Sequence, residues 1–142
     1  MQHLRLSWEE RVESLKAGVL SAASVMLVFP LTALFNDFLA SRYASPVMNY
    51  WISGAIAIFA GFLFGVTYRY IIREDQNSHL KSGAVLAFGL VRGLAHVEMS
   101  IAAQSDWVPI VSYAIESILL FTVARLVLDG GMMLGKIQRF KG

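Results

Sequence analysis

Met48–Tyr68 reads MNYWISGAIAIFAGFLFGVTY, 21 residues without an Asp, Glu, Lys or Arg. Wound as an α-helix at ~1.5 Å per residue, it reaches about 30 Å, the thickness of a bilayer's hydrocarbon. Three stretches of the same kind accompany it: Ala17–Phe35, Ser82–Ala103 and Val108–Leu128. Together they predict an all-α integral membrane four-helix bundle. The composition agrees, at 56% hydrophobic residues and a mean hydropathy of +0.58, too apolar for an ordinary soluble domain. One membrane domain over 17–128 uses most of the 142 residues. An amphipathic interfacial helix over 1–16 is expected before it and a basic tail over 129–142 after it.

The basic residues give the bundle a direction. Arg5, Arg11 and Lys16 precede the first span. Arg69, Arg73 and Lys81 lie between the second and third, and Lys136, Arg139 and Lys141 follow the fourth. Four crossings put all of these on one face, leaving Arg42 on the other. Basic loops stay in the cytoplasm, so both termini are expected there, or in the stroma of a plastid-like compartment. A formal charge of +2, spread along one membrane face, does not suggest a nucleic-acid partner. The absence of cysteine excludes disulfides, thiolate nucleophiles and cysteine-ligated metals. Glu9, Glu10 and Glu13 make the amino-terminal arm unlike a cleaved signal or an acid-poor transit peptide.

Local signals refine this plan. Ser7-Trp8-Glu9-Glu10 fits a capping box. Leu4, Trp8, Val12, Leu15 and Val19 recur at helical spacing, either as an interfacial helix or as an extension of the first span. Pro30 is expected to kink that span, and Asn36 and Asp37 to mark its far interface. Two aromatic belts are expected, with Trp8, Tyr68 and Tyr70 on the basic side and Tyr43, Tyr50, Trp51, Trp107 and Tyr113 opposite. Gly130 and Gly131 should end the fourth span. Trp8, Lys136, Arg139 and Lys141 are the expected lipid-interface contacts, since each base near an anionic surface contributes about 1 kcal/mol.

Small residues suggest helix packing. Ala57, Gly61 and Gly65 recur every fourth position in span two, and Gly89 and Gly93 repeat the spacing in span three. Such stripes let backbones approach closely. Folding about the middle connector brings the two stripes to similar depth, so they could meet within one subunit or equally across subunits; the spacing points to tight packing without choosing which pair packs.

Charge within the spans is the remaining puzzle. Arg92 near the centre of span three costs ~2.5–3.5 kcal/mol on an insertion scale, while eight apolar neighbours return about 2.4–4.8 kcal/mol together. His96 and Glu98 worsen the balance, so this span needs help. Glu116 in span four is the expected helper, forming a buried polar cluster with Arg92 and His96. Arg125 can snorkel to the interface. The cluster either fixes helix packing or lines a pathway for protons, ions or an anionic substrate.

No phosphate-cradling loop, GxSxG or paired-histidine motif is present, so no catalytic and no metal-binding residue is assigned and no enzyme activity is expected. His96 is the one candidate axial ligand for a haem or chlorophyll, and a satisfied interior histidine is the simpler reading. No cofactor is firmly implied; lipid is the expected companion, with chlorophyll or quinone as alternatives.

The segment Tyr68–Leu94, YRYIIREDQNSHLKSGAVLAFGLVRGL, resembles part of a family of small multi-pass membrane proteins of cyanobacteria and chloroplasts. The resemblance implies a thylakoid or cyanobacterial membrane and carries no catalytic residue with it. Arg73-Glu74-Asp75 would then lie on the stromal-type face, as a solvated loop or a docking surface. The expected role is non-enzymatic: a self-associating scaffold or an accessory or assembly factor of a larger membrane complex, homo-oligomeric through its glycines. The alternative is a small oligomeric channel or transporter using Arg92, His96 and Glu116.

Overall fold

A computed structural model of the chain describes residues 7–42, 49–73 and 77–141. Four helices make up these residues: α1 Trp8–Ala40, α2 Tyr50–Ile72, α3 Ser78–Ala102 and α4 Trp107–Met133. All four are long and apolar enough to cross a membrane. The chain is thus an all-α, multi-pass four-helix bundle. It is built from two antiparallel hairpins, α1–α2 and α3–α4, whose internal contacts dominate. The hairpins close a ring through α1–α4 and α2–α3, with α2–α4 touching across the middle.

α1 is 33 residues long, roughly 50 Å at ~1.5 Å per residue, and so outreaches the hydrocarbon. This corrects the expected separate helix over 1–16: from Trp8 onward those residues are the first turns of α1 itself. Leu4 lies outside the described residues. Ser7 caps α1 by accepting from the Glu10 amide at 3.2 Å. The Glu10 carboxylate does not close the capping box; it pairs with Arg69 instead. α1 continues through Pro30.

The two glycine stripes do not meet. A Cβ on Gly65 would lie 2.4 Å from the Ala17 carbonyl oxygen and 2.6 Å from Ser21 Cβ, and one on Gly61 would lie 2.9 Å from Val25. The α2 stripe therefore faces α1, where Ser14, Ala17, Ser21 and Val25 form a buried small-residue face. On α3, a Cβ on Gly89 would approach Ile118 and one on Gly93 would approach Ala114, both on α4. Each stripe seals its own hairpin, in keeping with the tendency of consecutive elements to lie side by side. Where the hairpins join, Phe64 of α2 packs on Phe88 of α3 and Phe121 of α4, with ring centroids 5.3 and 5.2 Å away.

α4 also departs from expectation. Gly130 and Gly131 sit inside it, and the helix ends at Met133, with Gly135 at φ 72°. The chain then folds back against α1 and α2. Ile137 is buried, and Phe140 meets the edge of Tyr70 at 4.9 Å.

Candidate functional site

Two buried polar groupings lie in the bundle, one near each end. The first contains the residues predicted from sequence. Gly93 lies against Ala114 and Gly89 against Ile118, which sets the α3–α4 register. Arg92 and Glu116 come to nearly the same level. Their charged groups approach to 3.7 Å, Arg92 Nη1 to Glu116 Oε1, within ion-pair range but beyond a hydrogen bond. The same Nη1 donates to Ser117 Oγ at 2.9 Å, and the Ser117 hydroxyl donates to the Tyr113 carbonyl at 3.0 Å.

Glu116 finds its hydrogen bond elsewhere. Asn36 of α1 donates its amide to the carboxylate, and Ser112 donates to the Asn36 carbonyl oxygen. Asn36 is buried, not an interface marker as expected. The network therefore runs α1–α4–α3 and ties the two hairpins together. Asn36, Ser112 and Ser117 were not foreseen. Sequence position reports depth, and Asn36 lies close to the end of α1; which way its side chain faces emerges only once α1 packs on α4.

His96 shares the site but bonds neither charged residue. It stacks on Tyr113 with centroids 5.1 Å apart and planes at 17°. Tyr113 is consequently buried, which removes it from the expected belt. Trp51 and Trp107 are exposed at the same end. Tyr50 donates to Asp37 at 2.8 Å across the α1–α2 turn. Tyr43 lies outside the described residues.

Grooves approach the network from two sides. One, of about 470 Å³ between α1 and α4, is lined by Thr32, Asn36, Ser112 and Glu116 among apolar side chains. The other, of about 420 Å³ between α2 and α3, reaches Arg92, His96 and Tyr113. In the ring of helices these lie on opposite flanks, with the Arg92–Glu116 pair between them.

The second grouping was not read from sequence at all. Arg69, expected as a loop charge, is 0% exposed. Its Nη2 pairs with the Glu10 carboxylate. Its Nη1 donates to Ser14 Oγ at 2.8 Å and to the Glu10 carbonyl at 3.1 Å. Its Nε donates to the Gln138 carbonyl at 2.7 Å. Gln138 in turn donates its amide to Glu13 at 2.9 Å. One guanidinium thus joins α1, α2 and the tail, which places the start of α1 and the described tail at the same end of the bundle. Beside it, Asp129 accepts from the Tyr68 hydroxyl at 2.8 Å and pairs with Lys81 at 3.4 Å and Arg125 at 3.7 Å. Tyr68 is buried here and not a belt residue, and Arg125 joins this group.

The tail is therefore more structured than a loose lipid contact. Lys136 and Lys141 are exposed and Arg139 is partly buried; Trp8 is exposed at the start of α1. His79 is exposed, and no three His, Asp or Glu side chains gather as a metal set among the described residues. His3, Glu74 and Asp75 lie outside those residues.

No family model matches the chain, and the searches of curated proteins and solved structures find none significantly similar to it.

Proposed function

We propose that this is a non-enzymatic integral membrane protein, a scaffold or accessory subunit of a larger membrane assembly. The observation that carries the reading is the inward matching of its buried charges. Arg92 faces Glu116, Glu116 takes the Asn36 amide, and Arg69 is bonded through all three of its nitrogens. Such networks hold helices in fixed positions. Large apolar side chains on every helix, among them Leu27, Phe59, Val91 and Leu126, are exposed at the outer surface. The glycines are used within the subunit, so homo-oligomeric or partner contacts would form through these larger side chains and not through Gly61, Gly65, Gly89 or Gly93. The basic-side rule puts both termini in the cytoplasm or stroma, and the Tyr68–Leu94 resemblance suggests a photosynthetic membrane as the setting.

Mass measurement after mild solubilisation tests this. The expected result is a stable assembly well above the 15.7 kDa chain, either multiples of it or a fixed ratio with another membrane protein. A lone chain that conducts ions or protons in liposomes would sink the scaffold reading. It would favour the channel or transporter reading, for which the two grooves ending on opposite flanks of Arg92–Glu116 are the motivating observation.

A further inference from the structure

The groove between α2 and α3 has the makings of a ligand site that helix packing does not need. Its volume, about 420 Å³, falls within the roughly 300–1,000 Å³ of small-molecule sites. Its lining is mainly apolar but includes polar side chains from three helices and the α2 cap: Arg92, His96, Ser100, Tyr113, Ser53 and Asn49. Arg92 is 8% exposed, and its Nε has no hydrogen-bond partner among the described residues. The buried Ser53 hydroxyl has none either. Donors left without acceptors in an apolar medium are costly. Ile52, Ile56 and Met99 of the same lining are exposed at the surface.

Polar side chains set in an apolar groove that opens at the outer surface suit an amphiphile entering sideways from the lipid. Charge selects its head. Arg92 is already opposed by Glu116 at 3.7 Å, so a neutral head leaves the site neutral. An anionic head would add a net charge inside the bilayer, which is expensive. Arg92 lies ten residues before the end of α3, roughly 15 Å along the axis, while Asn49 and Ser53 lie at the start of α2, so the groove runs from the end of the bundle inward.

The geometry points to a binding site for a neutral, lipid-soluble carbonyl compound, its carbonyl head lodged among Arg92, His96, Tyr113 and Ser53 and its apolar chain leaving between Ile52 and Met99. Two sources share this chemistry: the ring head of a prenylated quinone and the ester head of an acylglycerol. The two are separated by offering the purified full chain decyl-benzoquinone, dioleoylglycerol and palmitate, with binding followed by native mass spectrometry. The expected result is one decyl-benzoquinone per chain, weakened at least tenfold by Ser53→Leu, which fills the groove without touching Arg92–Glu116. Ala95→Phe, from an exposed position on the same groove, should block equally if Ser53→Leu folds poorly. Saturable binding of dioleoylglycerol alone, blocked by the same variants, would assign the ester source. Failure of both neutral probes, tighter binding of palmitate, or indifference to the filling variants would overturn the site.

Discussion

Arg92 and Arg69 show how differently two buried guanidiniums can be held. Arg92 has one hydrogen bond, one partner charge at 3.7 Å and an unpartnered Nε. Arg69 is bonded through all three nitrogens. Removing one member of a buried pair strands the other, which typically costs about 3–5 kcal/mol, whereas replacing both by apolar groups is often neutral or better. Arg92→Leu and Glu116→Leu should each lower unfolding stability in detergent by roughly that amount. The double variant should recover most of it, because neither charge is left without its opposite, although Asn36 then keeps only the bond it accepts from Ser112. Two independent losses that simply add would show that the pair contributes nothing as a pair. At the other end, Arg69→Leu strands the Glu10 carboxylate and the Gln138 carbonyl at once. It should destabilise at least as strongly, and it should release the tail, seen as faster proteolysis after Leu134.

At the scale of helices, the glycines separate into those that touch something and those that do not. Gly65 lies against the Ala17 backbone, where a Cβ would sit 2.4 Å from the carbonyl oxygen. Backbone cannot rotate away, so Gly65→Ala must push α1 and α2 apart, at about 1–3 kcal/mol for overpacking. Gly83 and Gly130 are also helical, but a Cβ there meets nothing within 4 Å. Gly83→Ala and Gly130→Ala should be neutral or gain up to about 1 kcal/mol from helix propensity. Reversible unfolding in mixed micelles measures all three, and equal effects would deny the close α1–α2 contact. The four spans and their order were legible in the sequence, because hydropathy and length report them directly. The direction each side chain faces was not. The spacing of Gly61 and Gly65 announced a close contact but could not choose between α1 and α3. Asn36 read as an interface marker because its partner, Glu116, is 80 residues away. Arg69 read as one more basic residue by a loop, since the tail that buries it joins the bundle only through tertiary contact.

For the molecule as a whole, the Arg69 grouping turns a statistical rule into a geometric constraint. The positive-inside bias assigns the arm, the middle connector and the tail to one face by counting charges. The bonds from Arg69 to Glu10 and Gln138 hold α1, α2 and the tail together there, so the three cannot be sorted to different leaflets without breaking the network. The chain has no cysteine, so single cysteines can report sidedness without background. Lys136 and Gln104 are exposed at opposite ends of the bundle. In sealed membrane vesicles of known orientation, Lys136→Cys should react with an impermeant thiol reagent only from the cytoplasmic or stromal side. Gln104→Cys should react only from the opposite side. The reverse pattern would invert the molecule and place the Arg92 site nearer the cytoplasmic leaflet, while leaving the bundle intact. Reaction of both from one side would break the bundle itself, since α4, long and apolar enough to cross a membrane, lies between those residues.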